Sequence, residues 1–229
     1  FIYPGSEIYG GLANSWDYGP LGVELKNNVK QAWWKRFVQL REDIVGLDAA
    51  LIMNRRVWEA SGHVAEFTDP LVECKVCHQR FKADAKGLVG AAQRYLTSDH
   101  EKTHKEKDIW TEVKQFNLMF KTQVGAQNSE EAYLRGETAQ GMFMDFKLVQ
   151  QTSRMQLPFG IAQIGRCFRN EIAPRDFLFR SREFNIGEFE FFINPEEEKS
   201  ELLEDKHLKV KVRLLDAETQ KKKSEELHE

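Results

Sequence analysis

Phe168-Arg169-Asn170-Glu171 and, after a short gap, Arg180-Ser181-Arg182-Glu183-Phe184 carry the densest chemistry of the chain. Arginine presents a planar fork of donors that keeps its charge and matches phosphate oxygens, and phenylalanine offers a flat face to a ring. Together they read as an ATP site built on a β-hairpin. Strands over 161–168 and 180–193 would face each other across the loop 171–179, where Pro174 has no ladder hydrogen to give. Residues of equal parity share a strand face. Arg180, Arg182, Phe184, Ile186, Glu188 and Glu190 are therefore expected on one side, and Phe189, Phe191 and Ile193 on the other.

Several elements have to position this hairpin. Between Pro20 and Arg41 the apolar residues Leu25, Val29, Trp33, Phe37 and Leu40 recur with helical spacing, and Pro20 stands where a helix tolerates it, at its start. Trp33 and Trp34, being adjacent, cannot both face one interior, so a second surface is expected to need cover. Residues 68–115 read as an insertion rich in Asp, Lys and His with little apolar period. Within it Cys74 and Cys77 have the spacing of half a zinc site, with His100 and His104 the nearest further candidates. From Pro195 the chain turns strongly charged, around an apolar alternation over 208–214 that suggests an edge strand.

Composition sets outer bounds. A chain of 229 residues, 41% apolar with 16 phenylalanines, can bury a sizeable core. A formal charge of −3 provides no global basic field, so any RNA contact must come from local patches. Three cysteines and no apolar run of membrane-spanning length lead us to expect a soluble, cytoplasmic protein that meets no membrane.

Phe168-Arg169-x-Glu171, a loop, then Arg180-x-x-x-Phe184 resembles the second signature motif of class II aminoacyl-tRNA synthetases. Ser6-Glu7-Ile8-Tyr9-Gly10-Gly11, Asp17-Tyr18-Gly19-Pro20-Leu21-Gly22 and Trp58-Glu59-Ala60-Ser61-Gly62-His63 narrow the resemblance. With Phe116-Asn117-Leu118-Met119-Phe120 and Arg135-Gly136-Glu137-Thr138-Ala139-Gln140-Gly141, they are similar to glycyl-tRNA synthetases of the dimeric, single-polypeptide type. These segments cover most of residues 1–195.

The resemblance implies an α+β fold, an antiparallel sheet flanked by helices with the active site on the sheet face. It divides the chain into a first part of the catalytic core with the dimerisation helix (1–67), the insertion (68–115), the core with the hairpin (116–195) and a charged segment (196–229). The implied activity joins glycine to its tRNA through a glycyl adenylate, using ATP and Mg2+, in a homodimer. By the same resemblance Arg169 holds the α-phosphate and is the catalytic residue. Glu171 accepts the adenine amino group or steadies the arginine, Phe184 stacks under the purine, Arg180 reaches the outer phosphates, and Glu137 and Glu188 hold the glycine ammonium. Gly136 stands where many relatives have proline, which loosens that backbone. Some relatives carry a second cysteine pair shortly before the Phe116–Phe120 segment. Residues 108–115 here have none, which favours two free thiols and no metal.

The third class II motif and an anticodon-binding domain are not found in this sequence, and the expectation is a fragment with low or no activity alone. Two other readings stand beside the synthetase. One is a non-catalytic relative that serves as a dimerisation or nucleic-acid-binding accessory subunit, as in a mitochondrial DNA polymerase. Such a protein has no physical reason to keep Arg169, Glu171, Arg180, Phe184, Glu137 and Glu188 together. The other is a zinc-dependent RNA-binding module on Cys74 and Cys77, for which basic aromatic platforms are lacking.

Overall fold

The structure is a computed structural model that describes residues 1–83, 100–106, 109–127, 129–172, 177–197, 203–212 and 220. Its chain divides into two units, Phe1–Phe192 and Ile193–Glu229.

In the first unit β1 (Ile2–Pro4) pairs antiparallel with β2 (Trp16–Tyr18). Pro20 then opens α1 (Pro20–Trp34), which continues through a π turn over Lys35–Gln39. Short elements follow: β3 (Ile44–Gly46), β4 (Ile52–Met53), α2 (Arg55–Ala60) and α3 (His63–Glu66). Asn54 starts α2 by accepting the Arg56 N–H at 3.0 Å, which satisfies one otherwise unpaired donor of the first turn. Next come β5 (Thr68–Glu73), β6 (Arg80–Lys82), β7 (Lys114–Asn117), β8 (Phe120–Val124) and β9 (Glu130–Leu134). The unit closes with α4 (Ala139–Ser153), β10 (Phe159–Phe168) and β11 (Glu183–Phe192).

Three small sheets result, ordered β11-β10-β3, β4-β9-β8 and β6-β5-β7. Only β3 runs parallel to its neighbour β10; the other pairings are antiparallel, giving the α+β character expected. The β10–β11 register runs unbroken from Phe159 opposite Phe192 to Phe168 opposite Glu183. One face of this ribbon is covered by α4, where Met142 meets Phe159 and Ile161, and Phe146 stacks on Phe159 at 5.4 Å. A second core gathers Met53, Trp58, Met119 and Tyr133.

The sequence expectations need three corrections. Strand β11 begins at Glu183, so Arg180 and Arg182 precede it in the connecting segment rather than standing on the strand. The Arg169 N–H still donates to the Arg182 carbonyl at 2.9 Å, while Ser181 Oγ donates to the Glu183 carbonyl at 2.9 Å and a 3-10 turn, not a strand, spans Phe177–Phe179. Pro174 lies outside the described residues.

Trp33 and Trp34 both pack on the β11-β10-β3 sheet. Trp33 lies 6.4 Å from Phe189, while Trp34 covers Gly46, where a Cβ would come within 2.5 Å of its ring. A bare glycine on β3 gives the second indole room on the same sheet. The helical stripe splits as a result, with Trp33 and Phe37 turned onto Phe189 and Leu25 and Val29 left 55% and 61% exposed.

In the second unit, α5 (Asp205–Leu208) begins with a reciprocal cap between Glu204 and His207. No strand forms over 208–212, because Leu208 closes this helix; 213 and 214 lie outside the described residues, as does the basic run 221–223. Among the described residues no helix is long and apolar enough to cross a membrane.

Candidate active site

The β10–β11 ribbon offers two faces. By register, Phe184, Ile186, Glu188 and Glu190 stand opposite Cys167, Gly165, Gln163 and Ile161, and these residues share the face toward α4. Asn185, Phe189 and Phe191 share the other face, as the sequence parity predicts.

Arg135 organises the first of these faces. It is 3% exposed; its Nε donates to the Arg166 carbonyl at 2.8 Å and its Nη1 to the Ala49 carbonyl at 2.9 Å. Its guanidinium lies over Gly165, where a Cβ would sit 2.2 Å from Nη2. The Phe168 N–H in turn donates to the Arg135 carbonyl at 2.9 Å, so the end of β9 is tied to the end of β10. Residues 135–138 are thereby laid beside Phe168 and Arg169.

Arg169 follows directly. Its Nε donates to the Gly136 carbonyl at 3.1 Å, and its guanidinium stands 5.3 Å from the Phe67 ring and 5.4 Å from the Phe184 ring. Two aromatic rings flank the cation, which makes no ion pair among the described residues, although its charge reaches the Glu137 carboxyl. Arg180 is held differently. Its Nε and Nη2 donate to Glu171 Oε2 at 3.0 and 2.8 Å, and Nη2 also approaches Asp69 at 3.6 Å. The Glu171 carboxylate thus braces Arg180 and not the Arg169 of the sequence expectation.

The carboxylates converge nearby. Glu188 Oε1 accepts the Thr138 N–H at 3.1 Å and also the Thr138 hydroxyl. Glu137 Oε1 faces His63 Nε2 at 3.2 Å and accepts from Gln140 Nε2 at 2.6 Å. These contacts, the His63 bond first, hold the Glu137 carboxyl at about 2, well below its usual range, against the opposing effect of burial. Glu190 is pushed up, by burial first and then by Glu188 and Glu137. The Cys167 thiol is pushed up to about 11 by burial, and the charges of Arg135, Glu188 and Arg169 all reach it. One patch of sheet thus carries the flanked cation Arg169 beside the carboxylates of Glu137, Glu188 and Glu190.

The six residues picked from sequence fall into two neighbouring groups, Arg169 with Phe184, Glu137 and Glu188, and Arg180 with Glu171. Sequence reasoning missed His63, Phe67, Thr138, Arg135 and Asp69. His63 lay within a quoted motif, but nothing in its spacing pointed to Glu137. Asn117 fastens the His63 backbone to the start of β8: its Nδ2 donates to the carbonyls of His63 and Val64 at 3.0 and 2.9 Å, while its Oδ1 accepts the Met119 N–H at 2.8 Å. A cavity of about 600 Å3 lined by Trp16, Phe120, Arg166 and Asn185 lies toward the opposite face, since Arg166 and Asn185 have the other parity.

Away from this site, Cys74, Cys77, His100 and His104 present four donor atoms within 4.8 Å of one another. The expectation of two free thiols meets a fold that gathers all four candidates. Spacing alone could not reveal this, because the hairpin turn and the 100–104 segment meet only in three dimensions.

A family model described as tRNA synthetase class II core domain (G, H, P, S and T) matches residues 120–217. A glycine–tRNA ligase from Geobacillus kaustophilus (strain HTA426) is 55% identical over 217 residues, covering 86% of this chain and 47% of that protein. One from Caldanaerobacter subterraneus subsp. tengcongensis is 52% identical over the same shares, and one from Clostridium perfringens (strain 13 / Type A) is 55% identical over 85% of this chain and 46% of that protein. The chain spans about half the length of the curated relatives it matches. Among solved structures, the RNA binding domain of a threonyl-tRNA synthetase from Cryptosporidium parvum Iowa II superposes with a TM-score of 0.47 at 20% identity, over 80% of this chain and 32% of that one.

Proposed function

We propose that this chain, a member of the class II aminoacyl-tRNA synthetases and a relative of the glycine–tRNA ligases, provides part of the site that activates glycine with ATP for transfer to its tRNA. The observation that carries the reading is Arg169 held between Phe67 and Phe184 beside Glu137 and Glu188.

Adenylation brings a carboxylate onto the α-phosphate of ATP, so two anions meet and charge builds on the phosphate oxygens. Positioning and electrostatics dominate such a step. Arg169 supplies a cation for the α-phosphate, with the Phe184 ring next to it for the purine. Arg180, braced by Glu171, serves the outer phosphates, which enter with magnesium. Glycine offers an ammonium, a carboxylate and small size. Glu188, with Oε1 fixed by Thr138, and Glu137, kept ionised by His63, give the ammonium two anionic neighbours.

The exposed Leu25 and Val29 on α1 fit the expected role of this helix in pairing two copies of the chain. ATP binding, the homodimer and a cytoplasmic location belong to this proposal.

The test is amino-acid-dependent ATP–pyrophosphate exchange, with alanine and serine as controls. Exchange with glycine alone is the expected result. Exchange that alanine supports equally, or none from either this chain or a longer protein containing it, overturns the reading.

A further inference from the structure

We propose that Cys74, Cys77, His100 and His104 form a tetrahedral zinc site that fastens the β5–β6 hairpin to the segment 100–104. The sequence pattern is Cys-x2-Cys-x22-His-x3-His, two pairs far apart in the chain. In the structure the four donor atoms lie within 4.8 Å of one another. Cys77 Sγ is 3.3 Å from His100 Nε2, which is 3.2 Å from His104 Nε2. Bonds of about 2.3 Å to sulfur and about 2.0 Å to nitrogen at tetrahedral angles separate ligand atoms by roughly 3.3 to 3.8 Å. The Cys77–His100 separation falls at the lower end of that span and the His100–His104 separation about 0.1 Å below it.

The donor set selects the metal. Two sulfurs and two imidazole nitrogens suit zinc, whereas magnesium and calcium take oxygen. His100 Nε2 carries at most one proton, yet it faces both Cys77 and His104; a central cation serves all four donors at once. On binding, each thiol gives up its proton to solvent, and two thiolates neutralise the dication.

The backbone is shaped for this task. The hairpin turn closes with the His78 N–H on the Cys74 carbonyl at 2.9 Å and the Cys74 N–H on the Gln79 carbonyl at 2.8 Å. Cys74 is buried, and Phe81 and Trp110 stand 4.9 and 5.6 Å from the His100 ring. The sheet that bears the site has strands of only six, three and four residues. Such a small unit gains from a cross-link that a hydrophobic core of its size cannot replace.

The test is elemental analysis of the 229-residue protein, purified without added metal and dialysed, beside Cys77→Ser and His104→Ala. We expect one zinc per chain in the parent and less than about a tenth of that in either variant. Cobalt exchanged into the parent should show the strong visible absorption of a tetrahedral thiolate site and lose its sulfur-to-metal band in Cys77→Ser. Cys77 is exposed, so its variant retains the fold, and circular dichroism checks this. Fewer than about a tenth of a zinc per chain after reconstitution of the parent with zinc, or stoichiometric zinc that survives both substitutions, overturns the proposal.

Discussion

Thr138 grips Glu188 twice, its backbone N–H and its hydroxyl both donating to the same carboxylate oxygen, although the two residues are 50 positions apart. The residue that precedes α4 is thereby joined to the middle of β11, and the carboxylate acquires a fixed direction. Hydrogen bonds to a charged group of this kind are worth about 1.5 to 3 kcal/mol.

Loss of that grip should act on glycine and leave ATP alone. Thr138→Val keeps the shape but removes the hydroxyl, and the KM for glycine in pyrophosphate exchange is expected to rise about 10- to 100-fold, from the range just cited. Glu188→Gln, which removes the charge itself, should raise it further. Equal increases in the KM for ATP would count against an ammonium-binding role.

Acid should expose the His63–Glu137 contact. The Glu137 carboxyl is depressed to about 2 from an ordinary value of 4.5, so the folded state favours its ionised form. That contribution to stability is present above pH 4.5 and is lost as pH falls toward 2. Urea unfolding followed across this window should give a flatter acid limb for Glu137→Gln than for the parent. His63→Ala should flatten it too, because the leading cause of the depression is gone. An unchanged limb in both would show that the pair does not bear on folding.

Gly165→Ala tests the organising arginine. A methyl there would meet Arg135 Nη2 at 2.2 Å and Cζ at 2.9 Å, and Arg135 is packed too closely to withdraw freely. Overpacking of this kind costs about 1 to 3 kcal/mol, read as a lower urea midpoint. Activity should fall as well, since Arg135 holds the strand end from which Arg169 projects. A midpoint equal to the parent's would mean that the guanidinium moves aside at no cost.

Much of this site was legible because strands have a period of two: Phe184, Glu188 and Glu190 share a face for that reason alone. The stripe over 25–40 likewise marks a real helix. Other features depend on contacts that no local period encodes. Arg180 and Arg182 precede the strand, in a segment where Ser181 bonds the Glu183 carbonyl and a turn occupies 177–179. Trp34 found cover on Gly46 of a strand twelve residues on, and His63, whose carbonyl is held by Asn117, meets Glu137 from 74 positions away. Resemblance supplied the roles of Arg169 and Glu137, which spacing did not.

Arg169 is the residue on which the account depends most. Its charge, set between two rings, should serve the phosphate in the adenylate, and losing one such donor costs on the order of 3 kcal/mol, roughly a 100-fold effect.

The most direct test is calorimetric binding of a stable glycyl-adenylate analogue, with the sulfamoyl group in place of phosphate, to the protein and to Arg169→Ala. The alanyl analogue provides the control for size. Saturable binding of the glycyl analogue is expected, with weaker binding of the alanyl one and a loss of about 100-fold in Arg169→Ala. Equal affinity for the two analogues, or full affinity retained by Arg169→Ala, would contradict it.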